Sequence, residues 1–433
     1  MLKTGLSCTA KWVSRTSCRF AHHSCRVLVV GGGTGGCAVA AKLSKVLKKN
    51  EVIILDPSDR HYYQPLFTLV GGGIYNLEKS FKQQKDVLPK DALWIQDRVT
   101  EFIPKANRVR TSENHEIEYD FMLLALGLET NYEKIPGLLE GLQTWSGVCS
   151  NYSDKYVEKT FQVMKNFESG NAIFTYPDSP VKCPGAPQKI CYLTEEYLRK
   201  QGKRDKATIM YNTSLPVIFG VKKYADALWN VVESRDIQVN LRRNLVEVKP
   251  DVNEAVFENL DNPGEKTTIE YSMLHVTPPM STPAPLRNNK ELSNPAGFAD
   301  VDPDSLAHNK FPNVFAIGDC SSSPNSKTAA AAAAQSVVVY RNLLAAINGT
   351  ESEHIYDGYA SCPLVTGYSK CILAEFDYKL QPLETFPISQ DKEMLSMYLL
   401  KKLFMPYLYW NLMLNGYWNG PAGLRKLLHL NWK

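Results

Sequence analysis

The sequence predicts an α/β chain of two doubly wound domains, closed by an aromatic, helix-prone C-terminal segment. Three observations predict it. At 433 residues the chain is too long for one ordinary domain and suits two or three. Short β-branched runs alternate with helix-prone stretches along most of the length, the pattern of parallel sheets wrapped by helices. Two of these runs end in glycine turns, at Gly31–Gly36 and at Gly318-Asp319. Hydrophobic residues at 44% and charged residues at 22% make a globular balance, which excludes long disordered tracts. The net charge of +4 is too small to favour nucleic acid as a partner.

Part of that charge sits at the beginning, in Lys3, Lys11, Arg15, Arg19 and Arg26, and the first acidic residue is Glu51. A basic, Ser/Thr-containing, acid-free leader with no continuous apolar core is expected to be a mitochondrial transit peptide, over residues 1–24. A buried strand then runs from Arg26 to Val30 into Gly31-x-Gly33-x-x-Gly36, followed by an Ala-rich helix and a second strand, Glu51 to Leu55, ending at Asp56. The first glycine permits the tight turn, the second lets backbone approach a pyrophosphate, and the third lets helix pack on strand. The phosphates would sit at the helix N-terminus, with Thr34 and Gly35 in the same loop. Asp56 stands where a carboxylate binds ribose hydroxyls. Strand, helix, second strand and acid together predict dinucleotide binding.

The late run Val314 to Asp319 resembles the second FAD fingerprint of the glutathione-reductase-like flavoproteins, in which the Asp binds the ribitol and the next helix points its N-terminus at the flavin. That helix is expected from Lys327-Thr328 to Ile347, with Lys327 either adding a charge near the flavin or solvated. A further strand end closing in glycine is Leu124 to Gly127. Flavoproteins of this type usually carry a second GxGxxG, for NAD(P)H. After the strand Asn171 to Thr175 stands instead a loop with Pro177, Pro180, Pro184 and Pro187. Proline lacks the N–H donor, so the middle domain keeps the fold and lacks the nucleotide cradle.

Ten cysteines include no CxxC pair, so metal-ligand spacing is absent and no metal is expected. Taken singly, each thiol is more often a packing residue than a catalyst. Pro180-Val-Lys-Cys183-Pro-Gly-Ala-Pro187 and Cys362-Pro-Leu-Val, however, resemble the two redox-cysteine segments of the sulfide:quinone oxidoreductases. The run Ile54 to Pro65 and Leu408-Tyr-Trp-Asn411 are similar too, and the resemblance extends from about Arg26 to Lys433. It implies Cys183 and Cys362 as the catalytic pair. It also implies FAD held by Gly31, Gly33, Thr34, Gly35, Gly36, Asp56, Gln64, Val99, Gly127, Asp319 and Lys327. Bacterial relatives carry a third functional cysteine, but the surroundings of Cys149 do not match that role, and Cys191, Cys320 and Cys371 are expected to be structural.

Between Lys402 and Arg425 no side chain is charged, while Phe404, Tyr407, Tyr409, Trp410, Tyr417 and Trp418 crowd the stretch. Pro406, Asn411, Asn415 and Asn419 argue against a spanning helix. Aromatic-rich, Lys/Arg-flanked helices favour the lipid–water boundary, so a monotopic anchor is expected, against an ordinary core helix pair.

The expected organisation is residues 1–24 leader, 25–165 first part of the FAD domain, 166–295 second Rossmann-like domain, 296–350 second part of the FAD domain, and 351–433 redox-cysteine and membrane region. The resemblance implies oxidation of hydrogen sulfide, transfer of sulfane sulfur to a small nucleophile such as glutathione or sulfite, and electron transfer through FAD to ubiquinone at the mitochondrial inner membrane. The alternatives are a type II NADH:quinone oxidoreductase, which needs the second GxGxxG and no cysteine pair, and a flavin-bearing interaction protein without turnover.

Overall fold

The computed structural model describes residues 21–430. The expected leader lies outside the described residues up to residue 20. Residues 21–24 begin the first strand, Ala21–Val30, earlier than the apolar run suggests. The extension follows from its partner: His115–Leu124 lies parallel to it, from Ala21 opposite His115 to Val30 opposite Leu124. The added residues are exposed or half-buried and carry no apolar signal.

This strand is central in a sheet ordered Leu93–Ile95, Val52–Leu55, Ala21–Val30, His115–Leu124, Arg108–Thr111, Val99–Ile103, and Val314–Ala316 also pairs with His115–Leu124. Val27–Val30 and Val52–Leu55 are wholly buried, as continuous apolar runs require when both sheet faces are covered. The helices Thr34–Leu43 and Ala329–Asn348 pack on each other. The second is long and apolar enough to cross a membrane, but half of that stretch is buried in the protein, so it is a core helix.

A second, all-parallel sheet is ordered Val148–Cys149, Met273–His275, Gly170–Tyr176, Ala207–Thr213, Ile237–Leu241. Two doubly wound units are therefore present. The second begins at Val148 rather than residue 166, because a two-residue strand leaves no periodicity to read. The chain rejoins the first core by Leu286 and Leu292, ahead of the expected residue 296. It then forms a hairpin, Ala360–Gly367 with Lys370–Phe376, and a helical run over 395–413 interrupted by π-helical turns at Leu400–Phe404 and Tyr409–Met413. A short helix, Ala422–Leu428, follows.

Gly31 takes a φ of +109°, which a side chain would oppose, and a Cβ at Gly36 would overlap the Gly31 carbonyl oxygen. The turn and the helix are thus joined by backbone contact that excludes any side chain. Gly36→Ala should destabilise the protein by about 1–3 kcal/mol through overpacking, measured by denaturant unfolding. An unchanged midpoint would contradict this packing.

Candidate active site

A cavity of about 470 Å³ runs between the two units, lined by Gly31, Gly33, Thr34, Gly35 and Asp56 at one end and by Cys183, Lys189 and Cys362 further along. A Cβ at Gly33 would meet no protein atom within 4 Å, so the loop leaves open space against its own backbone. Asp56 Oδ2 accepts the Gly32 N–H at 2.6 Å, and Oδ1 accepts the Ser58 N–H at 2.8 Å. The carboxylate therefore holds the loop as well as facing the cavity. Gly127, Gly318 and Asp319 line the middle. Burial pushes the Asp319 carboxyl up, and the Lys327 and Lys182 ammonium groups oppose that shift. Thr328 caps the long helix, its side chain accepting the Ala331 N–H at 3.1 Å, and the capped end lies in the cavity wall. An open glycine cradle, a helix N-terminus and a half-buried Asp in one cavity fit FAD.

Gly31, Gly33, Thr34, Gly35, Asp56, Gln64, Gly127, Asp319 and Lys327 are brought together in this wall. Gly36 is absent from it, consistent with its part in helix packing. Val99 opens the strand Val99–Ile103 with its side chain in the sheet core, and it is not among the residues lining this cavity. Lys327 faces the cavity, but its Nζ donates to the Ser321 and Ser323 carbonyls at 2.8 Å each, so its charge is already held by backbone.

Cys183 and Cys362 meet, although they lie on a loop and a distant hairpin. Both are unbridged, and the Cys362 thiol hydrogen-bonds the Cys183 sulfur. Cys183 has a φ of +51°, an unfavourable region for a non-glycine residue. Its N–H donates to the Lys327 carbonyl at 2.7 Å, and Tyr152 Oη donates to its carbonyl at 3.3 Å, which hold it there. Two residues beyond it, Gly185 caps the helix Ala186–Lys200, and a Cβ at Gly185 would lie 2.6 Å from Cys362 Sγ. Glycine is what lets the hairpin sulfur approach.

Lys189 lies on the first turn of that helix, 3% exposed, with Nζ 3.4 Å from Cys183 Sγ. Burial acts to lower its ammonium, but the Cys183 and Cys362 sulfurs outweigh burial and hold it charged. The Cys362 hydrogen bond, with the charges of Lys189 and Lys401, holds the Cys183 thiol well below the ordinary range despite burial. The same hydrogen bond and burial hold Cys362 well above it. Burial instead raises Cys149 and Cys371 to about 12 and Cys320 to about 11. Among the described cysteines, Cys183 alone is lowered. Lys401 is also buried and donates to the Pro65 carbonyl at 3.0 Å; burial and Lys189 push it down to about 8.

Sequence reasoning missed Lys189, Lys182 and Lys401, because a lysine in a helix or a loop is ordinarily a solvated one. It also missed the C-terminal wall: Leu400, Phe404, Met405, Leu408, Tyr409 and Trp418 line the cavity. The stretch of the chain read as an anchor is thus also part of the site.

Two doubly wound units, the first carrying a dinucleotide loop, with a cysteine pair in the same cavity define a flavin-dependent oxidoreductase of the disulphide type. Residues 25–171 match the pyridine nucleotide-disulphide oxidoreductase family. The chain is 52% identical to the mitochondrial sulfide:quinone oxidoreductase of Mus musculus, covering 99% of this chain and 92% of that protein. It is 46% identical to the mitochondrial sulfide:quinone oxidoreductase of Dictyostelium discoideum, covering 92% and 88%. The solved sulfide:quinone oxidoreductase of Aquifex aeolicus superposes with a TM-score of 0.79 at 19% identity, over 94% of this chain and 96% of that one, which shows a shared fold. The chain belongs to the sulfide:quinone oxidoreductase family.

A depressed Cys183 thiol remains thiolate as pH falls through the ordinary thiol range. An ordinary thiol, with a value near about 8.5, loses close to a hundredfold in alkylation rate from about pH 8 to about pH 6. In the reduced protein, iodoacetamide labelling of Cys183, followed by peptide mass spectrometry, should fall far less than this, and Lys189→Met should restore part of the ordinary fall, the Cys362 hydrogen bond keeping the rest. A near-hundredfold fall in the unsubstituted protein would contradict this electrostatic account.

Proposed function

We propose that this protein oxidises hydrogen sulfide at Cys183 and Cys362 and delivers the electrons through FAD to a quinone. The observation that carries the reading is the meeting of the two sulfurs beside Lys189 in the wall of a flavin-shaped cavity. The middle domain has no glycine cradle for a second nucleotide, which disfavours NADH as the donor.

In the oxidised state the two cysteines are bridged. The Lys189 ammonium attracts HS⁻ and stabilises negative charge on Cys183. The better leaving thiolate departs in thiol–disulfide exchange. HS⁻ therefore attacks the Cys362 sulfur: an S–S bond forms there, the Cys183–Cys362 bond breaks, and Cys183 leaves as thiolate beside Lys189. The outer sulfur of the Cys362 persulfide then passes to a small nucleophile such as glutathione or sulfite. That transfer leaves two reduced cysteines, which re-form the bridge as two electrons depart. When bound, FAD supplies a two-electron acceptor that can in turn reduce a quinone. Gly31, Gly33, Thr34, Gly35, Asp56, Gln64, Gly127 and Asp319 would hold it, with Lys182 balancing Asp319.

The C-terminal helical run supports a lipid-soluble acceptor, ubiquinone in the reading favoured here. Its inner face, with Lys401, Tyr409 and Met413, is buried, while Leu395, Leu399, Leu403 and Tyr407 recur at helical spacing on the outside, Leu403 59% and Tyr407 60% exposed. Such a stripe suits the surface of a membrane as a monotopic contact. Together with relatives named as mitochondrial proteins, it supports the mitochondrial inner membrane as the site of action.

Cys183→Ser and Cys362→Ser should each abolish sulfide-dependent quinone reduction while leaving FAD bound, and the double variant should be no worse, because the pair acts as one unit. Cys191→Ser and Cys371→Ser should stay near normal. Near-normal steady-state turnover in either Cys183→Ser or Cys362→Ser would overturn the mechanism.

A further inference from the structure

The dinucleotide loop is clamped from a direction that no nucleotide-binding unit supplies by itself. Tyr409, from the C-terminal run, is 2% exposed and lies 2.8 Å by its Oη from Thr34 Oγ1 and 2.6 Å from His61 Nε2. Its ring stacks on Tyr63 with centroids 4.2 Å apart. His61 Nδ1 is 3.1 Å from the Gly32 carbonyl oxygen, which also accepts from Gln84 Nε2 at 2.8 Å and from Cys37 Sγ at 3.0 Å.

The polarity of this chain of bonds is determined by its last member. A carbonyl oxygen only accepts, so Nδ1 carries the histidine proton. Burial pushes His61 down to about 4, so the ring is neutral and Nε2 is an acceptor. Tyr409 must then donate to Nε2, and its oxygen must accept the Thr34 hydroxyl proton. Thr34 has one such proton and spends it on Tyr409. The hydroxyl at the N-terminus of the helix Thr34–Leu43 therefore cannot donate into the cavity, and the loop offers its backbone N–H groups there.

We infer that Tyr409 is a positioning residue for the cofactor, which straps the C-terminal segment to the dinucleotide loop and makes seating of that segment and retention of FAD one coupled event. This rests on the flavin reading of the cavity. The strap holds Gly32 and Thr34 on either side of Gly33, while Asp56 holds the Gly32 N–H. Linkage makes the coupling reciprocal: what seats the segment slows loss of FAD, and bound FAD favours the seated segment.

The test is the FAD dissociation rate of the holoenzyme, followed by the rise in flavin fluorescence after dilution. Thr34→Val should speed release about tenfold, the scale of one buried hydrogen bond, and Tyr409→Phe, which also loses the bond to His61, at least as much. The double variant should be no faster than Tyr409→Phe alone, because that change already removes the Thr34–Tyr409 bond together with the bond to His61. A purely structural tyrosine would give independent, multiplying effects. Release within twofold of normal in Tyr409→Phe, or release from the double variant about tenfold faster than from Tyr409→Phe, would overturn the strap. Should Tyr409→Phe not accumulate as folded protein, Thr34→Val alone decides, and a normal rate there overturns it. Gly33→Val separates the two readings. It should purify without FAD, since a side chain there fills the phosphate approach. If it keeps FAD, the cavity reading fails, whereas a flavin-free Gly33→Val beside a normal Tyr409→Phe defeats only the strap.

Discussion

The site depends on one contact: a buried ammonium, Lys189 Nζ, 3.4 Å from the sulfur of Cys183. An unpaired ammonium in such a place would cost several kcal/mol or lose its proton. The sulfurs keep it charged, and it keeps Cys183 a thiolate. Each charge stabilises the other, and the Cys362 hydrogen bond is the larger support of Cys183. The rest of the local architecture serves this pairing. The left-handed backbone at Cys183 aims its sulfur at the next helical turn, and Gly185 leaves room for the second sulfur. The hairpin Ala360–Gly367 with Lys370–Phe376 carries that second sulfur from far along the chain. The result is asymmetric: of two chemically identical thiols, Cys183 is made the better leaving group and Cys362 the better sulfur carrier.

The C-terminal run has two faces with two tasks. The inner one closes the cavity with Leu400, Phe404, Met405 and Leu408 and brings Lys401 toward the sulfurs. The outer one is apolar and exposed. It is further tied down by Lys42, whose Nζ donates to the Gly416 carbonyl at 3.0 Å and to Asn419 Oδ1 at 2.5 Å, and by Lys45, which donates to the Asn415 carbonyl at 2.7 Å. Of the asparagines that argue against a spanning helix, Asn419 binds the first domain through its side chain, whereas Asn411 and Asn415 donate to carbonyls of their own run. A segment so held encloses the cysteine pair on one side and leaves an apolar face outward on the other.

Much of this was legible in the sequence wherever local chemistry leaves a local mark. The glycine fingerprint, Asp56, Gly318-Asp319 and the capped alanine helix were all readable, because turn, phosphate approach and helix start each demand particular residues at short spacing. The cysteine pair was visible through its flanking prolines. Lys189 and Lys401 were not, because their meaning comes from tertiary burial, which a helical lysine does not announce. The link from Tyr409 to His61 and Thr34 was illegible for the same reason: it joins segments far apart in sequence by side-chain contact.

The most direct measurement is an anaerobic titration of the purified protein, following the visible flavin spectrum. The account predicts that sulfide bleaches the flavin stoichiometrically and that NADH leaves it unchanged. Bleaching by NADH, or an unaltered spectrum after excess sulfide, would contradict it.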